Sequence, residues 1–565
     1  MADKITGSEA LIRSLIEENV KTIFGYPGGA IMPIYDALYD HRDKLNHILT
    51  RHEQGAAHAA QGYSRVTGDV GVCFATSGPG ATNLVTGIAD AMIDSTPLVC
   101  ITGQVTSALL GTDAFQESDI VGMSMPITKW NYQITKAEEI PSVIAKAFYI
   151  ARSGRPGPVL IDVAKDAQSA LIEYQYQKCT KIRSYVPYLP INMKQVEAAA
   201  NAINKSKKPF LLFGQGIIIS QAEEELKTLI EKAEIPAAWT LLGNSAIPSD
   251  HPLNVGMLGM HGNYAPNILT NECDLLIAVG MRFDDRVTGK LSAYAKQAEI
   301  IHIEIDPSEI NKIVDTNYPV IGDAKKVLEK LIPLVNKTTH KEWHQRFKDL
   351  YQIEYDKVIK SDIYRNNGKI SMGEAVRIVS EKTKGEAICV SDVGQHQMIT
   401  ARYFKFNKTR SVVTSGGLGT MGFGLPAAVG AQIGAPDRTV VTFIGDGGFQ
   451  MTMQEMGTIA QENIPVKIII LNNNFLGMVR QWQELFFEKR YSFTELKNPD
   501  FIHLAGAFKI PAKKVVNNCD LESSIEEMLN TEGPYLLEVV VEQEDNVFPM
   551  VPSGASVSDI ILEKP

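Results

Sequence analysis

The chain has 565 residues, of which 44% are hydrophobic and 21% charged, and its formal net charge is −10. This composition is typical of a globular protein of three or four domains at about 150 residues each, and the mild acidity argues against nucleic acid as the main partner. No apolar run is long enough to span a bilayer, and the chain starts in an amphipathic helix without a signal-peptide core. We therefore expect a cytoplasmic protein with no membrane partner. The six cysteines are scattered without a close pair for zinc or redox chemistry, which suits a reducing compartment: Cys73, Cys100, Cys179, Cys273, Cys389 and Cys519.

Residues 1–167 alternate helices with short apolar strands, a pattern that predicts an α/β domain with a mainly parallel sheet. The predicted strands are 22–25, 47–50, 71–76, 98–102 and 159–163. Glycine-rich turns follow several of them, as in FGYPGGA and TSGPGATN, and such turns let a ligand or another backbone approach closely. Glu53 follows a predicted strand and opens a helix of small residues. An acid at that position also has a plain role, because it complements the helix N-terminus.

After a linker near 167–190, a second α/β block extends over residues 190–335. Its predicted strands are 209–213, 237–241, 275–279 and 300–305. Asp306 follows the last of these strands, which is where dinucleotide folds place an acid that binds a ribose. Because no GxGxxG follows a strand here, spacing alone is weak support for nucleotide binding. The charged stretch 336–367 reads as a second linker that is helical in part.

The third block, residues 370–565, contains the most informative stretch, from Val440 to Met478. Two predicted strands, 440–444 and 466–471, flank a predicted helix over 452–462, so both strands should be parallel and end at one edge of the sheet. The first strand is followed by a predicted glycine-rich turn with Asp446, and the second by Asn473. Carboxylate and amide oxygens suit Mg²⁺, and the glycines offer backbone N–H groups to a diphosphate.

Each half of this pattern has an ordinary explanation, because Gly-Asp-Gly is common in loops and Asn-Asn after a strand is a normal turn. The two halves together, with 24 residues (448–471) between Gly447 and Asn472, resemble the signature for thiamine diphosphate and Mg²⁺.

A series of motifs along nearly the whole chain resembles the large, catalytic subunits of the acetohydroxyacid synthase (acetolactate synthase) family. The motifs are FGYPGGA, RHEQ, TSGPGATN, GTDAFQE, GRPGPVLID, GMLGMHG, RFDDRVTG, SGGLGTMGFGLPAA, GDGGFQM and MVRQWQ. The resemblance implies three doubly wound parallel-sheet domains, which hold the aminopyrimidine, FAD and the diphosphate with Mg²⁺. It also implies a homodimer or tetramer whose subunits share each site, and it leaves room for a separate regulatory small subunit.

The same resemblance implies roles for individual residues. For catalysis it indicates Glu53, which would hydrogen-bond the aminopyrimidine, together with Gln116, Lys165 and Arg286. The metal ligands would be Asp446, Asn473 and the Phe475 carbonyl, and the substrate channel would include Phe115, Arg286 and Trp482. The remaining cofactor contacts would be Gly28, Gly29, Gly394, Gln395, His396, Met421, Gly445, Gly447, Gly448 and Met478 for thiamine diphosphate, and Arg155, His261, Arg282, Asp306 and Asp323 for FAD.

The implied activity is the decarboxylation of pyruvate and transfer of its two-carbon unit to pyruvate or 2-ketobutyrate, in branched-chain amino-acid biosynthesis. A pyruvate oxidase, a simple decarboxylase and the flavin-free catabolic acetolactate synthase are alternatives among enzymes. RFDDRVTG and GMLGMHG favour the flavin-containing synthase. A non-catalytic nucleotide-binding regulator is the alternative from another class, and the presence of Glu53 and Asp446 argues against it.

Overall fold

The computed structural model describes residues 4–365 and 368–564, and within them the chain builds three six-stranded parallel sheets, each surrounded by helices. The strands are short and apolar, and most of their residues are fully buried, as expected for parallel strands covered by helices on both faces. The predicted α/β class with three doubly wound parallel sheets is therefore confirmed. The boundaries between the domains stay a prediction.

The first sheet contains all five strands predicted in residues 1–167 and one strand that was missed. Its strands are β2 (Thr22–Gly25), β3 (Asn46–Leu49), β4 (Gly71–Ala75), β5 (Leu98–Gln104), β6 (Trp130–Ile134) and β7 (Pro158–Ala164), while β1 (Lys4–Thr6) and β8 (Leu171–Glu173) pair antiparallel outside it. The helices are α1 (Gly7–Glu17), α2 (Met32–Tyr39), α3 (Glu53–Thr67), α4 (Pro79–Thr82), α5 (Val85–Ile93), α6 (Ile120–Ser124), α7 (Ile140–Arg152) and α8 (Lys165–Ser169). The missed strand, β6, lies at the sheet edge and mixes aromatic with amide residues, so it has no apolar run to detect.

The second sheet has the order β11-β10-β9-β12-β13-β14, which is that of dinucleotide-binding folds. Its strands are β9 (Pro209–Phe213), β10 (Ala237–Trp239), β11 (Asn254–Met257), β12 (Leu275–Val279), β13 (Glu299–Glu304) and β14 (Tyr318–Ile321). The helices are α9 (Met193–Lys205), α10 (Gln215–Ile219), α11 (Glu223–Ala233), α12 (Tyr264–Thr270), α13 (Asp285–Thr288) and α14 (Ala324–Leu331). Both strands that were not predicted, β11 and β14, are four-residue edge strands that contain Gly256 or Pro319.

The predicted second linker is helical over most of its described length. It consists of α15 (Lys341–Glu354), a π-helical turn (Tyr355–Ile359) and α16 (Lys360–Ile363). The end of α15 is not a solvated spacer, because Glu354 is fully buried and pairs with Arg402 of the third block at 2.6 Å.

The third sheet repeats the strand order of the first. Its strands are β15 (Ile388–Ser391), β16 (Val412–Thr414), β17 (Val440–Gly445), β18 (Lys467–Asn472), β19 (Ala512–Val515) and β20 (Tyr535–Val540). The helices are α17 (Met372–Lys382), α18 (Gln395–Tyr403), α19 (Gly424–Gly434), α20 (Asp446–Thr452), α21 (Met456–Glu462), α22 (Gly477–Phe486), α23 (Phe501–Ala507) and α24 (Leu521–Asn530).

One prediction in this block was wrong. The residues predicted to form a turn, Gly445–Gly448, enter a helix directly, since α20 begins at Asp446. The helix predicted over 452–462 is present from Met456 on, as α21, and is preceded by a 3₁₀ turn, Met453–Glu455. Helical glycines cost stability, which is why the sequence pattern favoured a turn.

The first and third blocks are joined by the crossing of α3 and α19. A Cβ on Gly62 would overlap the Ala427 carbonyl, and one on Gly430 would overlap the Ala59 carbonyl. The two helices therefore pack backbone to backbone, and their alanines form one fully buried apolar cluster with the strands of both sheets. Among the described residues, we find no helix with the length and apolarity needed to cross a membrane.

Candidate active site

Asp446 and Asn473 lie at the same edge of the third sheet, as the strand–helix–strand pattern predicts. β17 and β18 pair in parallel, with Gly445 opposite Leu471, so the two side chains follow neighbouring strand ends. Both residues line a small cavity of about 50 Å³. The cavity wall also contains most of the residues that the resemblance assigned to the diphosphate and metal, namely Gly394, Gln395, His396, Met421, Gly445, Gly447, Gly448, Phe475 and Met478.

Among the residues that the structure describes, the Asp446 carboxylate is the one acid that lines this cavity. Burial raises the pKa of Asp446 to about 6, although Asn498 and the backbone N–H groups of Asn473 and Asn474 counteract the shift. Asn498 donates to Asp446 Oδ2 at 2.7 Å. A buried carboxylate without a cationic neighbour, next to neutral amide and carbonyl oxygens, is the donor set that Mg²⁺ accepts while keeping waters and phosphate oxygens. The residues present therefore fit the ion.

The other wall of the small cavity is the start of α18. The Gly445 N–H donates to His396 Nε2 at 3.3 Å, and burial lowers the pKa of His396 to about 3, so the imidazole is neutral. A Cβ on Gly394 would lie 2.9 Å from the His396 ring, and one on Gly448 would lie 2.9 Å from Asp392 Oδ1. The missing side chains let the backbone at Gly394 and Gly448 pack closely on His396 and Asp392. Both glycines also line the cavity, where main-chain N–H groups suit a diphosphate.

Met421 stands on a loop that is anchored from two sides. Asp392, fully buried, accepts the N–H groups of Gly422 and Gly424 at 2.9–3.0 Å. From the first block, Asp94, which directly follows α5, accepts the N–H groups of Gly416 and Gly417 at 2.8 and 2.7 Å. Neither acid was predicted as a site residue from the sequence. Asp392 follows strand β15 directly, so the strand-end reasoning that identified Asp446 could have identified Asp392 too.

A second, larger cavity of about 900 Å³ adjoins the first, and Gly394, Met421 and Met478 belong to both walls. It extends across the carboxyl ends of the second sheet, the usual ligand position in such folds. Of the residues predicted to contact FAD or substrate, it is lined by Arg155, His261, Arg282, Arg286, Asp323 and Trp482. Its volume is at the upper end of the range for small-molecule sites, as a dinucleotide requires.

Polar groups in this larger cavity fit a nucleotide ligand. His261 is buried, which lowers the pKa of its imidazole to about 4, and its Nδ1 has no hydrogen-bond partner among the described residues. A Cβ on Gly216 would lie 2.6 Å from the Gly280 Cα, so the start of α10 and the turn after β12 meet backbone to backbone at the cavity wall. The buried orphan nitrogen and this close backbone contact support a bound planar or phosphate-bearing group.

Asp306 is not among the lining residues, and its carboxylate is already engaged. It accepts from the Ser308 hydroxyl at 2.7 Å and from Arg155 at 3.2 Å. Glu304, the last residue of β13, lines the cavity instead, and burial raises its pKa to about 7. The prediction placed the acid of this strand end at Asp306, but the strand ends at Glu304, two residues earlier in the chain. The FAD role of Asp306 stays a prediction.

Glu53 and its neighbours form a separate half-site on the first block. Glu53 is the first residue of α3, is 9% exposed and accepts a hydrogen bond from Asn83 Nδ2 at 2.9 Å. A Cβ on Gly80 would lie 3.2 Å from the Glu53 carboxylate, so the TSGPG turn passes directly over it. The same turn touches two other predicted residues, since Gly28 packs on Thr76 and Gln116 packs on Gly78.

This half-site lies apart from the two cavities within one chain. Neither cavity is lined by Gly28, Gly29, Glu53, Phe115, Gln116 or Lys165. Phe115 is 87% exposed, although the resemblance assigns it to a substrate channel. The structure thus brings together the predicted diphosphate and metal residues and the predicted flavin contacts other than Asp306. It leaves Glu53 and the other predicted residues of the first block named above outside both cavities.

Glu455 is a further residue that the sequence analysis missed. It follows α20 and is 1% exposed, and its carboxylate accepts the Arg51 N–H at 3.0 and 3.2 Å, two residues before Glu53. A Cβ on Gly55 would overlap this carboxylate. Burial raises the pKa of Glu455 to about 7. Nothing in the local pattern around Glu455 indicates a partner 404 residues earlier.

Comparison with known proteins gives consistent results along the chain. Residues 5–123, 196–331 and 392–539 match the N-terminal TPP binding, central and C-terminal TPP binding domains of thiamine pyrophosphate enzymes. The acetolactate synthase isozyme 2 large subunit of Escherichia coli (strain K12) is 46% identical over 561 residues, which are 99% of this chain and 100% of that protein. The chain belongs to the acetolactate synthase family. The probable acetolactate synthase large subunit of Methanocaldococcus jannaschii is 46% identical over 98% of this chain and 95% of its own length, and acetolactate synthase 2, chloroplastic, of Nicotiana tabacum is 45% identical over 99% and 85%.

Family membership accounts for the arrangement of the three sheets. The matches to the two TPP binding domains fall on the first and third sheets, which share one strand order, and the central match falls on the second sheet. The Glu53 half-site thus lies in the N-terminal TPP binding domain, and the Asp446 and Asn473 wall of the small cavity lies in the C-terminal TPP binding domain.

Proposed function

We propose that this chain decarboxylates pyruvate and joins the remaining two-carbon unit to pyruvate or 2-ketobutyrate. The products would be CO₂ with 2-acetolactate or 2-aceto-2-hydroxybutyrate, in branched-chain amino-acid biosynthesis. The observation that carries this proposal is the shared wall of the two cavities, at which the Asp446–Asn473 edge adjoins the cavity that contains Arg286 and Trp482. Membership of the acetolactate synthase family supports the same reaction.

Asp446, Asn473 and the Phe475 carbonyl would hold Mg²⁺, and the glycines of the small cavity would hold the diphosphate. The single carboxylate is sufficient because Mg²⁺ usually binds one or two carboxylates and takes its other oxygens from water and phosphate. Thiamine diphosphate, when bound, supplies the nucleophilic carbon and takes up the electron pair that loss of CO₂ leaves. Met421 and Met478, on the wall shared by both cavities, would give this step an apolar surround that favours loss of a charge.

Glu53 would hold a proton at the ring nitrogen of the aminopyrimidine. Its position at the start of α3, with one carboxylate oxygen bound to Asn83, leaves the other oxygen for that contact. A carboxyl placed to hold and return a proton there acts as a general acid and base, a contribution typically worth 10²–10⁴-fold in rate.

The second keto acid needs a cation for its carboxylate, and Arg286 suits this role. Its side chain is 65% exposed, and its contacts in the described residues are a 3.6 Å approach to Asp285 and a weak one to Met260 at 3.9 Å. The guanidinium is therefore free to form two parallel hydrogen bonds with a carboxylate. Trp482, half-buried on the same cavity wall, would supply the apolar surface that contacts the substrate methyl or ethyl group.

FAD in the larger cavity would have a structural role, because the reaction has no net oxidation. Arg155, His261, Arg282 and Asp323 line that cavity and would be its contacts, together with the adjacent Asp306. If the flavin were instead a redox cofactor, the protein would be an oxidase. Turnover of pyruvate without matching bleaching of the flavin absorbance supports a carboligase, and stoichiometric flavin reduction supports an oxidase.

A homodimer, or a tetramer of two dimers, would complete the site. The separation of the Glu53 half-site from the small cavity in one chain supports a site built from two chains. Two relatives are named large subunits, which supports a separate regulatory small subunit as a partner of this chain. The composition of the chain supports a cytoplasmic location.

Product analysis tests the proposed function directly. The purified protein is incubated with pyruvate, thiamine diphosphate, Mg²⁺ and FAD, with and without 2-ketobutyrate, and the products are identified by mass spectrometry. We expect acetolactate and CO₂ in a 1:1 ratio, and acetohydroxybutyrate when 2-ketobutyrate is added. Acetaldehyde or acetate as the main product would contradict the proposal.

A further inference from the structure

The orientation of the Asn473 amide decides what this side chain can bind. Its Nδ2 donates to Gln395 Oε1 at 3.3 Å, and both residues are almost fully buried. On the other side of this amide, Oδ1 accepts the Phe475 N–H at 3.1 Å. The two contacts keep the nitrogen on Gln395 and leave a second lone pair on the oxygen, the atom that can bind a cation. The reverse orientation would turn two oxygens toward each other and present an NH₂ group to the ion.

Gln395 in turn has its amide orientation set by two acceptors. Its Nε2 donates to Gln481 Oε1 at 3.0 Å and to the Asp545 carbonyl at 3.0 Å. Both N–H bonds of this amide are thereby used, and Oε1 is directed to Asn473. A glycine makes the contact between the two amides possible, because a Cβ on Gly477 would overlap Gln395 Oε1 and lie 2.7 Å from Asn473 Nδ2.

The series of amides ends on the backbone N–H and C=O of Val547, whose donor and acceptor roles cannot be exchanged. Gln481 is fully buried on α22; its Oε1 accepts the Val547 N–H at 2.8 Å, and its Nε2 donates to the Val547 carbonyl at 3.1 Å. Since a backbone N–H only donates and a carbonyl only accepts, Val547 fixes the Gln481 amide. The orientation of Gln395 then follows from that of Gln481, and Gln395 Oε1 acts together with the Phe475 N–H to orient the Asn473 amide.

We propose that Gln481 is a positioning residue for the Mg²⁺ site, acting through Gln395 on the amide of Asn473. The inference rests on the proposed function, since it takes Asn473 as a ligand of the ion. It makes the affinity for the ion depend on the segment Asp545–Val547, which is distant from the strand edge in sequence and supplies the fixed peptide group.

The alternative is that Gln481 only stabilises the fold, and two variants separate these roles. Gln481→Met keeps the length of the side chain and removes all of its hydrogen bonds. Gln481→Glu keeps the acceptor for Gln395 and Val547, and a protonated carboxyl in this buried place can donate to the Val547 carbonyl. Gln432→Met is the matched control, because Gln432 is also buried and donates to two carbonyls, of Ala435 and Arg438, but lines neither cavity.

The readout is the dissociation constant for Mg²⁺, measured by calorimetry on the full-length protein at a fixed, saturating concentration of thiamine diphosphate. We expect Gln481→Met to bind Mg²⁺ about 10–100-fold more weakly, the usual effect of losing a group that orients a metal ligand. Gln481→Glu should recover most of this affinity, and Gln432→Met should stay close to the wild type. Because Mg²⁺ occupancy is what changes, kcat of Gln481→Met should approach that of the wild type at saturating Mg²⁺.

A double-variant cycle tests the route. In a Gln395→Met background, adding Gln481→Met should weaken Mg²⁺ binding no further, because the connection to Asn473 is already lost. Wild-type affinity in Gln481→Met, an equal loss in Gln432→Met, or a full additional loss in the Gln395→Met background would each overturn the inference. Failure of the wild-type protein itself to bind Mg²⁺ would instead contradict the proposed function.

Discussion

Removal of one partner of the buried Arg402–Glu354 pair is a perturbation whose effect can be estimated from the structure. Both side chains are fully buried, with Arg402 Nη2 2.6 Å from Glu354 Oε1. Arg402→Met would leave the Glu354 carboxylate inside the protein with two donors among the described residues, Asn263 Nδ2 at 2.9 Å and the Tyr264 N–H at 2.6 Å. An uncompensated buried charge typically lowers the free energy of unfolding by about 3–5 kcal/mol.

The double variant Arg402→Met/Glu354→Gln should lose far less than the sum of the two single losses, because no charge is then left buried. We expect a coupling energy of about 2–3 kcal/mol in the double-mutant cycle. Arg346→Met is the control. Arg346 lies on α15, as Glu354 does, and its pair with Glu272 at 3.1 Å is exposed. This variant should therefore lose less than about 1 kcal/mol of unfolding free energy.

The pair also connects three parts of the site. Arg402 lies in the last turn of α18, the helix whose first residues line the small cavity. Its Nη1 donates to the Gly262 carbonyl, next to His261 of the larger cavity. Arg402→Met should therefore also retain less flavin per chain. Urea denaturation followed by circular dichroism measures the stability, and visible absorbance after gel filtration measures the flavin. A loss in Arg402→Met no larger than that in Arg346→Met, or strict additivity in the double variant, would refute the reasoning.

Three further variants test individual site residues. Asp446→Ala removes the one charged metal ligand, so thiamine diphosphate should no longer be retained in the presence of Mg²⁺; calorimetry showing unchanged affinity would contradict this. Glu53→Gln keeps the size of the side chain but not its proton, so cofactor binding should persist while C2 hydrogen–deuterium exchange of bound thiamine diphosphate slows by about 10²–10⁴-fold. Trp482→Leu should lower the preference for 2-ketobutyrate toward parity, since one methylene is worth about 1–3 kcal/mol in an apolar pocket, whereas Arg286→Lys should weaken use of both acceptors; competition assays with both keto acids distinguish the two.

The local sequence pattern predicted those features of the fold that neighbouring residues determine, above all the parallel strands and the residues that follow them. All of the predicted parallel strands are present, because each is an apolar run followed by a turn, and parallel strands are forced to end at one edge. That rule is enough to bring Asp446 and Asn473 to one cavity wall. It was less reliable at element boundaries, where the GDGG segment is helical and the strand predicted to end at residue 305 ends one residue earlier, at Glu304.

The unpredicted parts depend on contacts between residues that are far apart in sequence. Glu354 was read as part of a charged linker, because its burial depends on Arg402, 48 residues later. Gln481 looks like any polar residue of an amphipathic helix, and only the fold places Val547 against it. Such residues combine a polar side chain with nearly complete burial, and a single sequence contains no information on burial at that resolution.

The separation of Glu53 from the small cavity leads to the last prediction. If each site takes Glu53 from one chain and Asp446 from another, the variants Glu53→Gln and Asp446→Ala each inactivate both sites of a homodimer. A dimer containing one chain of each variant has one site that lacks both residues and one site that has both. Random exchange makes half of all dimers mixed, so about a quarter of the sites should be intact.

The two inactive variants are therefore mixed, dissociated in mild denaturant and allowed to reassociate, and acetolactate formation is compared with that of wild-type protein treated in the same way. We expect about a quarter of the wild-type activity, provided that the chains of both variants exchange at random across the same two-fold interface. Each variant treated alone is the control and should stay inactive. If both residues served the same site within one chain, no pairing of the two variants would contain an intact site. Activity that stays at the level of the controls, although native electrophoresis of differently tagged chains shows mixed dimers, would therefore rule out the shared site.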